Sequence, residues 1–491
     1  MIIQNYSKLL FIVIIGIMAS MLLTKQTRAN ENTKIFVMFR TEGRGHEVDW
    51  DAEDMQRILT NEEILNELKE RCEGIEFVGE TNPVDVKSAV EFLNLQENID
   101  GIVVFGPPPD ELIKTGLPII TVFRMWQTWM GGFNFQKYKG EKILFDCVPM
   151  VRDANKSVFS SRMANLAKKI KLIQAISKMR YLRALVITDK PVLGVFEGGS
   201  GEYEKVLLDN ISKIFGTELI TIPIEELFYK IRDIDKKKAE EIADMWIHEA
   251  YAIKNTNKTQ IVESAKVYLA MKELMEKYDC NAITGEGYSV YGHYKLGLIP
   301  SQCLASSQLA TDGIIAPSET LINVLITQAI GYNITGRPSF NGDYIIDPFL
   351  NIAIIGHCEC AFNPYGDERK CTYTIRNMPF RKKNVGGACV QVDLPVNETV
   401  TVVKMSMYDK KIAVFTGKTV SLSQLFQEVD NPGVSCRTKL AIRTDVKALL
   451  ENLDWRTFSG HRVVFYGDIR EDIQNLAILI GFEVVEEDKW Q

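Results

Sequence analysis

The chain has no surplus of positive charge: 57 Lys and Arg stand against 64 Asp and Glu, for a net charge of -7. No Lys/Arg-rich block with interleaved aromatic residues occurs, so the electrostatic footprint of a nucleic-acid binder is missing and nucleic acid is not expected as a partner. A phosphate-binding GxxxxGK[ST] loop is absent too; the one Gly-rich turn, GGSG at 198–201, is read as a structural turn. Nine cysteines lie at irregular intervals, and an odd number leaves at least one unpaired, so the spacing does not describe a disulfide framework. Histidine is scarce: there are five in 491 residues.

Long apolar runs are nearly absent. The exception is residues 9–23, uncharged and mostly apolar, after a single Lys8. This run is short for a membrane span, which needs about 20 residues, and suits a signal-peptide core, with Thr27 and Ala29 as a small-residue cleavage pattern. Residues 1–29 are therefore expected to be a signal peptide or N-terminal anchor. The protein would be exported to the periplasm or outside the cell, or anchored by its N-terminus, with the cytoplasm as the alternative if the leader is inactive. No other membrane association is expected.

What remains is ordinary globular composition, 46% hydrophobic and 25% charged, on a chain too long for one core. From residue 33, short β-branched runs alternate with amphipathic stretches. Strands are expected at 34–39, 74–79, 102–105, 184–188, 218–222 and 281–284, and helices at 55–72, 164–180, 202–215 and through 236–278. This βαβ grammar predicts parallel sheets covered by helices. After about residue 348 the pattern changes to short strands separated by Gly, Pro and Asn turns, at 352–355, 389–394, 400–405 and 411–415, which is antiparallel grammar. A strand at 462–466, a helix at 469–480 and a strand at 482–485 predict a closing βαβ-like cap. The expected fold is α/β: two doubly wound parallel-sheet domains, 33–175 and 176–347, followed by a mainly antiparallel, barrel-like β domain, 348–491.

Two of the rare histidines stand in telling places. His357 lies two residues past the strand expected at 352–355, and His461 follows Gly460 where a loop enters the strand 462–466, a usual position for a functional side chain. Glu319 and Asp343 lie on the same segment as His357. Hard oxygen ligands with an imidazole are what a divalent metal site is built from. Each residue has a plainer reading: Glu319 as a first-turn helix carboxylate after Ala316-Pro317, Asp343 as a turn residue after Asn341-Gly342, and the histidines as satisfied core residues. The run His357-Cys358-Glu359-Cys360 could suggest a zinc or copper site, but on an extended strand 357 and 359 face one way and 358 and 360 the other, so one tetrahedral site using all four is disfavoured.

Together these residues resemble a family. CLASS at 303–307, APSE at 316–319, TGRP at 335–338, DYIID at 343–347 and GHC at 356–358, with CRTK at 436–439 and GHRVVFYGD at 460–468, are similar to the shared core of the L-fucose isomerase and L-arabinose isomerase superfamily. The likeness is closest to the fucose isomerase-like proteins of unassigned substrate. It implies a metal-dependent aldose–ketose isomerase working through a cis-enediolate. Glu319, Asp343 and His461 would be ligands to Mn²⁺, with Mg²⁺ or Co²⁺ as substitutes and His357 as a further ligand. Glu319 and Asp343 would be the acid/base pair, and Glu359 and Glu286 would line the substrate pocket. A small sugar is the implied partner and a homo-oligomer, trimer or hexamer, the implied assembly. An alternative is an exported sugar-binding protein that keeps this frame without the reaction.

Overall fold

The computed structural model describes residues 32–40, 58–96, 98–124, 135–149, 156–189, 201–285, 301–366, 369–378, 387–422 and 436–490. The leader at 1–29, Glu286 and most of the GGSG turn lie outside these residues. The described chain folds into two compact units, one formed by the residues up to Lys137 with Phe145–Tyr181, the other by Tyr138–Leu144 with the chain from Leu182 onward. Among the described residues no helix is long and apolar enough to cross a membrane.

A five-stranded sheet, in the first unit except for Ile143 and Leu144, contains β1 (Thr33–Arg40), β2 (Ile75–Val84), β3 (Ile99–Phe105), β4 (Ile119–Arg124) and β5 (Ile143–Val148) in the order β2-β1-β3-β4-β5. Its pairings β1/β2, β1/β3 and β3/β4 are parallel. Central strand β1 is buried on both faces, which is why it reads as the continuous apolar run IFVMF. The helix expected from residue 55 is found at Asn61–Arg71, started by a capping box in which Thr60 and Glu63 satisfy each other's backbone N–H groups.

In the second unit, β6 (Arg183–Ile187), β7 (Glu218–Ile222) and β9 (Ala282–Gly285) form a parallel sheet in the order β7-β6-β9. Bridges Ala282↔Ile315 and Gly285↔Ser318 lay the segment before Glu319 alongside β9. The block expected to be helical through 236–278 is interrupted: helices Lys236–Glu249 and Lys258–Lys277 flank β8 (Ala252–Lys254). Asn257 ends the break by capping the second helix through Gln260 N–H. Strand β8 pairs in parallel with β12 (Tyr373–Arg376), which pairs antiparallel with β13 (Cys389–Val392).

The C-terminal region closes into a six-stranded antiparallel barrel. Around it run β14 (Thr399–Ser406), β17 (His461–Tyr466), β10 (Phe340–Asp347), β11 (Ile352–His357), β16 (Thr438–Arg443) and β15 (Lys411–Val420), which pairs back to β14. Closure removes the exposed edges an open sheet of this size would carry. The barrel starts at Phe340, so Asp343 stands on a barrel strand and not in a turn. The expected terminal cap needs correction as well: β18 (Glu483–Glu486) pairs in parallel with β15, not with β17. Strands β14 and β15 lie between the two, because β15 offers its first half to β18 and its last residues to β16.

One helix fixes the site to this barrel. Residues Ile322–Thr335 are almost entirely buried, with apolar side chains all round, as expected of a helix enclosed in a core. Two of its buried polar groups tie it to the end of β14: Asn323 Oδ1 accepts from Met407 N–H, just past the strand, at 3.0 Å and Thr327 Oγ1 from Met405 N–H at 3.1 Å. Gly331 lets it approach β17, since a Cβ there would come within 2.0 Å of the Phe465 ring.

Candidate metal centre

Glu319 lies just before that helix, in a backbone that sequence patterns do not predict. The first-turn reading fails, because the helix starts at Ile322 and Glu319 and Thr320 take φ of 76° and 54°, two successive left-handed residues without a glycine. Such positions cost of order 1–3 kcal/mol each and persist only where the surroundings over-determine them. Here they do. Glu319 N–H donates to Gly285 O at 3.0 Å. The neighbouring Ser318 N–H is held by both oxygens of Glu359 at 3.1 and 3.2 Å.

The other donors come from barrel strands. Asp343 on β10 stands directly across from His461 on β17 and from Gly356, next to His357, on β11. The close approach of β10 and β11 depends on Gly342, where a Cβ would meet Gly356 O at 2.5 Å. His461 is fixed by its neighbour Arg462, whose wholly buried guanidinium pairs with Glu487 at 2.8 Å and donates to the carbonyls of Phe458 and Ser459 at 3.2 and 3.0 Å.

Glu319, His357 and His461 therefore converge, each offering one ligand atom within 4.8 Å of the others. His461 Nε2 is 3.5 Å from Glu319 Oε2, and His357 Nε2 is 3.8 Å from Glu319 Oε1. The imidazole centroids are 5.4 Å apart at 72°. Asp343 Oδ1 stands 3.7 Å from His461 Nε2, at the solvent side, with 56% of its side chain exposed. It is not one of the three mutually close donors. The run 357–360 divides: His357 joins this group, while Cys358 packs with Cys303, Cys389 and Cys436.

The electrostatics suit a cation. Burial above all pushes His461 down to about 3; Glu319 opposes this, and the charges of His357, Lys404 and Arg462 add to it. Its Nε2 is buried without a hydrogen-bond partner and faces the carboxylates of Glu319 and Asp343. Burial also disfavours charge on His357, but the carboxylates of Glu359 and Glu319 outweigh it and raise the imidazole to about 10. Burial alone would raise Glu319, yet the two imidazoles hold it below the usual carboxylate range. Asp343 is raised, first by loss of water on its inner side and then by Glu319, against the pull of His357. An orphaned imidazole nitrogen, a second imidazole and a carboxylate in reach make a donor set that fits a divalent metal.

Glu359, expected to line the substrate pocket, is a buried side chain. Besides holding Ser318 N–H, it accepts from Asn341 Nδ2 at 3.1 Å and faces His357 Nδ1 at 3.8 Å. It also lines a small cavity of about 20 Å³ with Ser306, Gln328 and Asn341, which none of the three candidate metal donors lines. Glu286 lies outside the described residues. Sequence reasoning missed Lys404, a fully buried lysine on β14 whose charge bears on His461; the signal was a lone cation inside the apolar run VTVVKM. It also missed Cys436, whose thiol donates to Asp343 Oδ2 at 3.7 Å.

Comparison with protein-family models and with curated proteins found no match to the chain.

Proposed function

We propose that this protein is a divalent-metal-dependent aldose–ketose isomerase of the L-fucose and L-arabinose isomerase type, acting on a small sugar. The observation that carries the reading is the convergence of Glu319, His357 and His461 from a strained loop and two barrel strands, with Asp343 beside them on the solvent side. Two doubly wound α/β domains ahead of the barrel, export through the leader and assembly as a homo-oligomer belong to the same proposal.

The resemblance points to Mn²⁺, with Co²⁺ or Mg²⁺ as substitutes; by donor chemistry alone, one carboxylate and two imidazoles also accept Fe²⁺, Co²⁺ or Zn²⁺, and Co²⁺ more tightly than Mn²⁺. A bound divalent cation supplies Lewis-acid stabilisation of the negative charge that develops on the two adjacent sugar oxygens. The rest falls to side chains. Moving a carbonyl between C1 and C2 requires removing a proton from the carbon beside it and returning a proton to the other carbon. Asp343 is suited to this: exposed on one side, with a carboxyl raised towards the working range of a proton carrier. Glu319, lowered by its imidazoles, is better suited to holding the cation than to carrying protons. The acid/base role expected of both carboxylates is therefore assigned to Asp343. Glu359 is a positioning residue: its charge, 3.8 Å from His357 Nδ1, favours a proton on that nitrogen and leaves Nε2 for the cation.

The test is ketose formation from a panel of aldoses by the Mn²⁺-loaded full chain. Asp343→Asn should keep the metal and lose turnover by at least about 100-fold, the contribution of a positioned acid/base. Sugar binding without ketose formation in the unaltered protein would overturn the catalytic part of the reading.

A further inference from the structure

Four of the nine cysteines, distant in sequence, meet beside the metal centre. Cys303 opens a helix, Cys358 follows β11, Cys389 lies on β13 and Cys436 precedes β16; with Met378 they form one buried cluster. Cys358 packs with the other three in that cluster. None of the four is in a disulfide. Among the described residues the one group of donors close enough to share a metal is the Glu319, His357, His461 set.

The three neighbours of Cys358 are not equivalent. Cys303 and Cys389 are sealed, and the Cys389 thiol is already directed at the carbonyls of Arg376 and Asn377 at 3.5 and 3.2 Å. Cys436 is the least enclosed, and its thiol points to the exposed Asp343. It sits over Gly356, where the missing side chain leaves room: a Cβ on that glycine would be 3.6 Å from Cys436 Cβ. Strands β11 and β16 are antiparallel neighbours up to the pair His357↔Thr438, so Cys358 and Cys436 emerge at the same end of one ladder.

We propose that Cys358 and Cys436 form a reversible disulfide that controls the metal centre. The oxidant is a small disulfide such as oxidised glutathione. Cys436 sulfur attacks one sulfur of the reagent, forming a mixed disulfide and releasing one thiol. Cys358 sulfur then attacks the Cys436 sulfur, forming the protein disulfide and releasing the second thiol. Two protons pass from the cysteines to the two leaving sulfurs; the protein is oxidised by two electrons and the reagent reduced by two. The bond removes the S–H that Cys436 donates to Asp343 and ties the residue after His357 to the head of β16. The disulfide is independent of the isomerase reading; its effect on the cation rests on the metal centre.

The experiment treats the metal-free full chain with oxidised glutathione at about pH 8, where thiol exchange is fast, and then measures intact mass, maps peptides and measures Mn²⁺ retention. The expected result is a loss of about 2 Da, the two hydrogens of one bond, a Cys358–Cys436 cross-linked peptide, and Mn²⁺ retention reduced at least about tenfold and restored by dithiothreitol. Cys436→Ser and Cys358→Ser should each abolish the cross-link, while Cys389→Ser should retain it, which guards against a folding artefact. A bond between another pair, a stable glutathione adduct without a bond, or unchanged Mn²⁺ retention in the cross-linked protein would overturn the switch. If the reduced protein never retains Mn²⁺ but the mapped bond forms, the metal centre fails and the disulfide stands.

Discussion

At the residue scale the centre depends on Glu359 as much as on the donors themselves. Its buried carboxylate ties the left-handed loop at Ser318 to the strand residue Asn341 and backs His357. Carboxylates behind metal-binding histidines typically govern affinity by 10–100-fold. Glu359→Gln should therefore weaken Mn²⁺ binding by about that factor in a titration, with an unchanged circular dichroism spectrum; unaltered affinity would remove Glu359 from the arrangement. The candidates Glu319, Asp343, His357 and His461 could be read from the sequence because their short motifs carried a family resemblance. What it could not give was Glu359's direction. Period-two alternation predicts which face of a strand a side chain takes, but β11 ends at His357. The positive φ of Glu319 and Thr320 was equally hidden, since neither residue type signals it.

At the element scale, His461 is placed by the Arg462–Glu487 pair at the head of β17. Both side chains are buried, so removing one leaves an uncompensated charge, which costs about 3–5 kcal/mol. Arg462→Ala should lose that much in urea unfolding; a loss below about 1 kcal/mol would show that the pair does not anchor the strand. A second link joins helix Ile224–Asp233 to helix Lys258–Lys277, where Glu226 accepts from Tyr278 Oη at 2.7 and 2.8 Å and pairs with Lys277. Burial raises the Glu226 carboxyl, but Lys277 and Tyr278 outweigh it and its pKa lies below the ordinary value. A carboxyl depressed on folding adds stability above its unfolded pKa, about 4.3, and loses it as pH falls through the folded value. Glu226→Gln should therefore reduce the fall in unfolding free energy between about pH 6 and about pH 3 by up to ~1 kcal/mol. An identical fall in both proteins would contradict the assignment.

Element types were largely legible in the sequence, and neighbours were not. The run HRVVFY reads as a strand and EVVE as another, but nothing in either says that two strands separate them. Strand β8 was hidden because AIK between two helical patterns is too short to carry a period. The cysteine cluster was invisible for a similar reason: positions 303, 358, 389 and 436 have no common spacing, and only the fold brings them together.

On the scale of the whole molecule, the residues that could hold a metal all lie in the second of the two compact units, and they come from distant parts of its sequence. The loop after β9 supplies Glu319, and the barrel supplies His357, His461 and the adjacent Asp343. A cation bound there would hold the α/β part of that unit to its barrel, and a ligand bound at about 100 times its Kd stabilises the fold that binds it by about 2.7 kcal/mol. The most direct test is the metal content of the full chain after equilibration with Mn²⁺ and removal of free ion, compared with a Glu319→Gln, His461→Gln double variant. One Mn²⁺ per chain in the unaltered protein and none in the variant is the predicted result. Equal metal in both, or none in either, would contradict the centre.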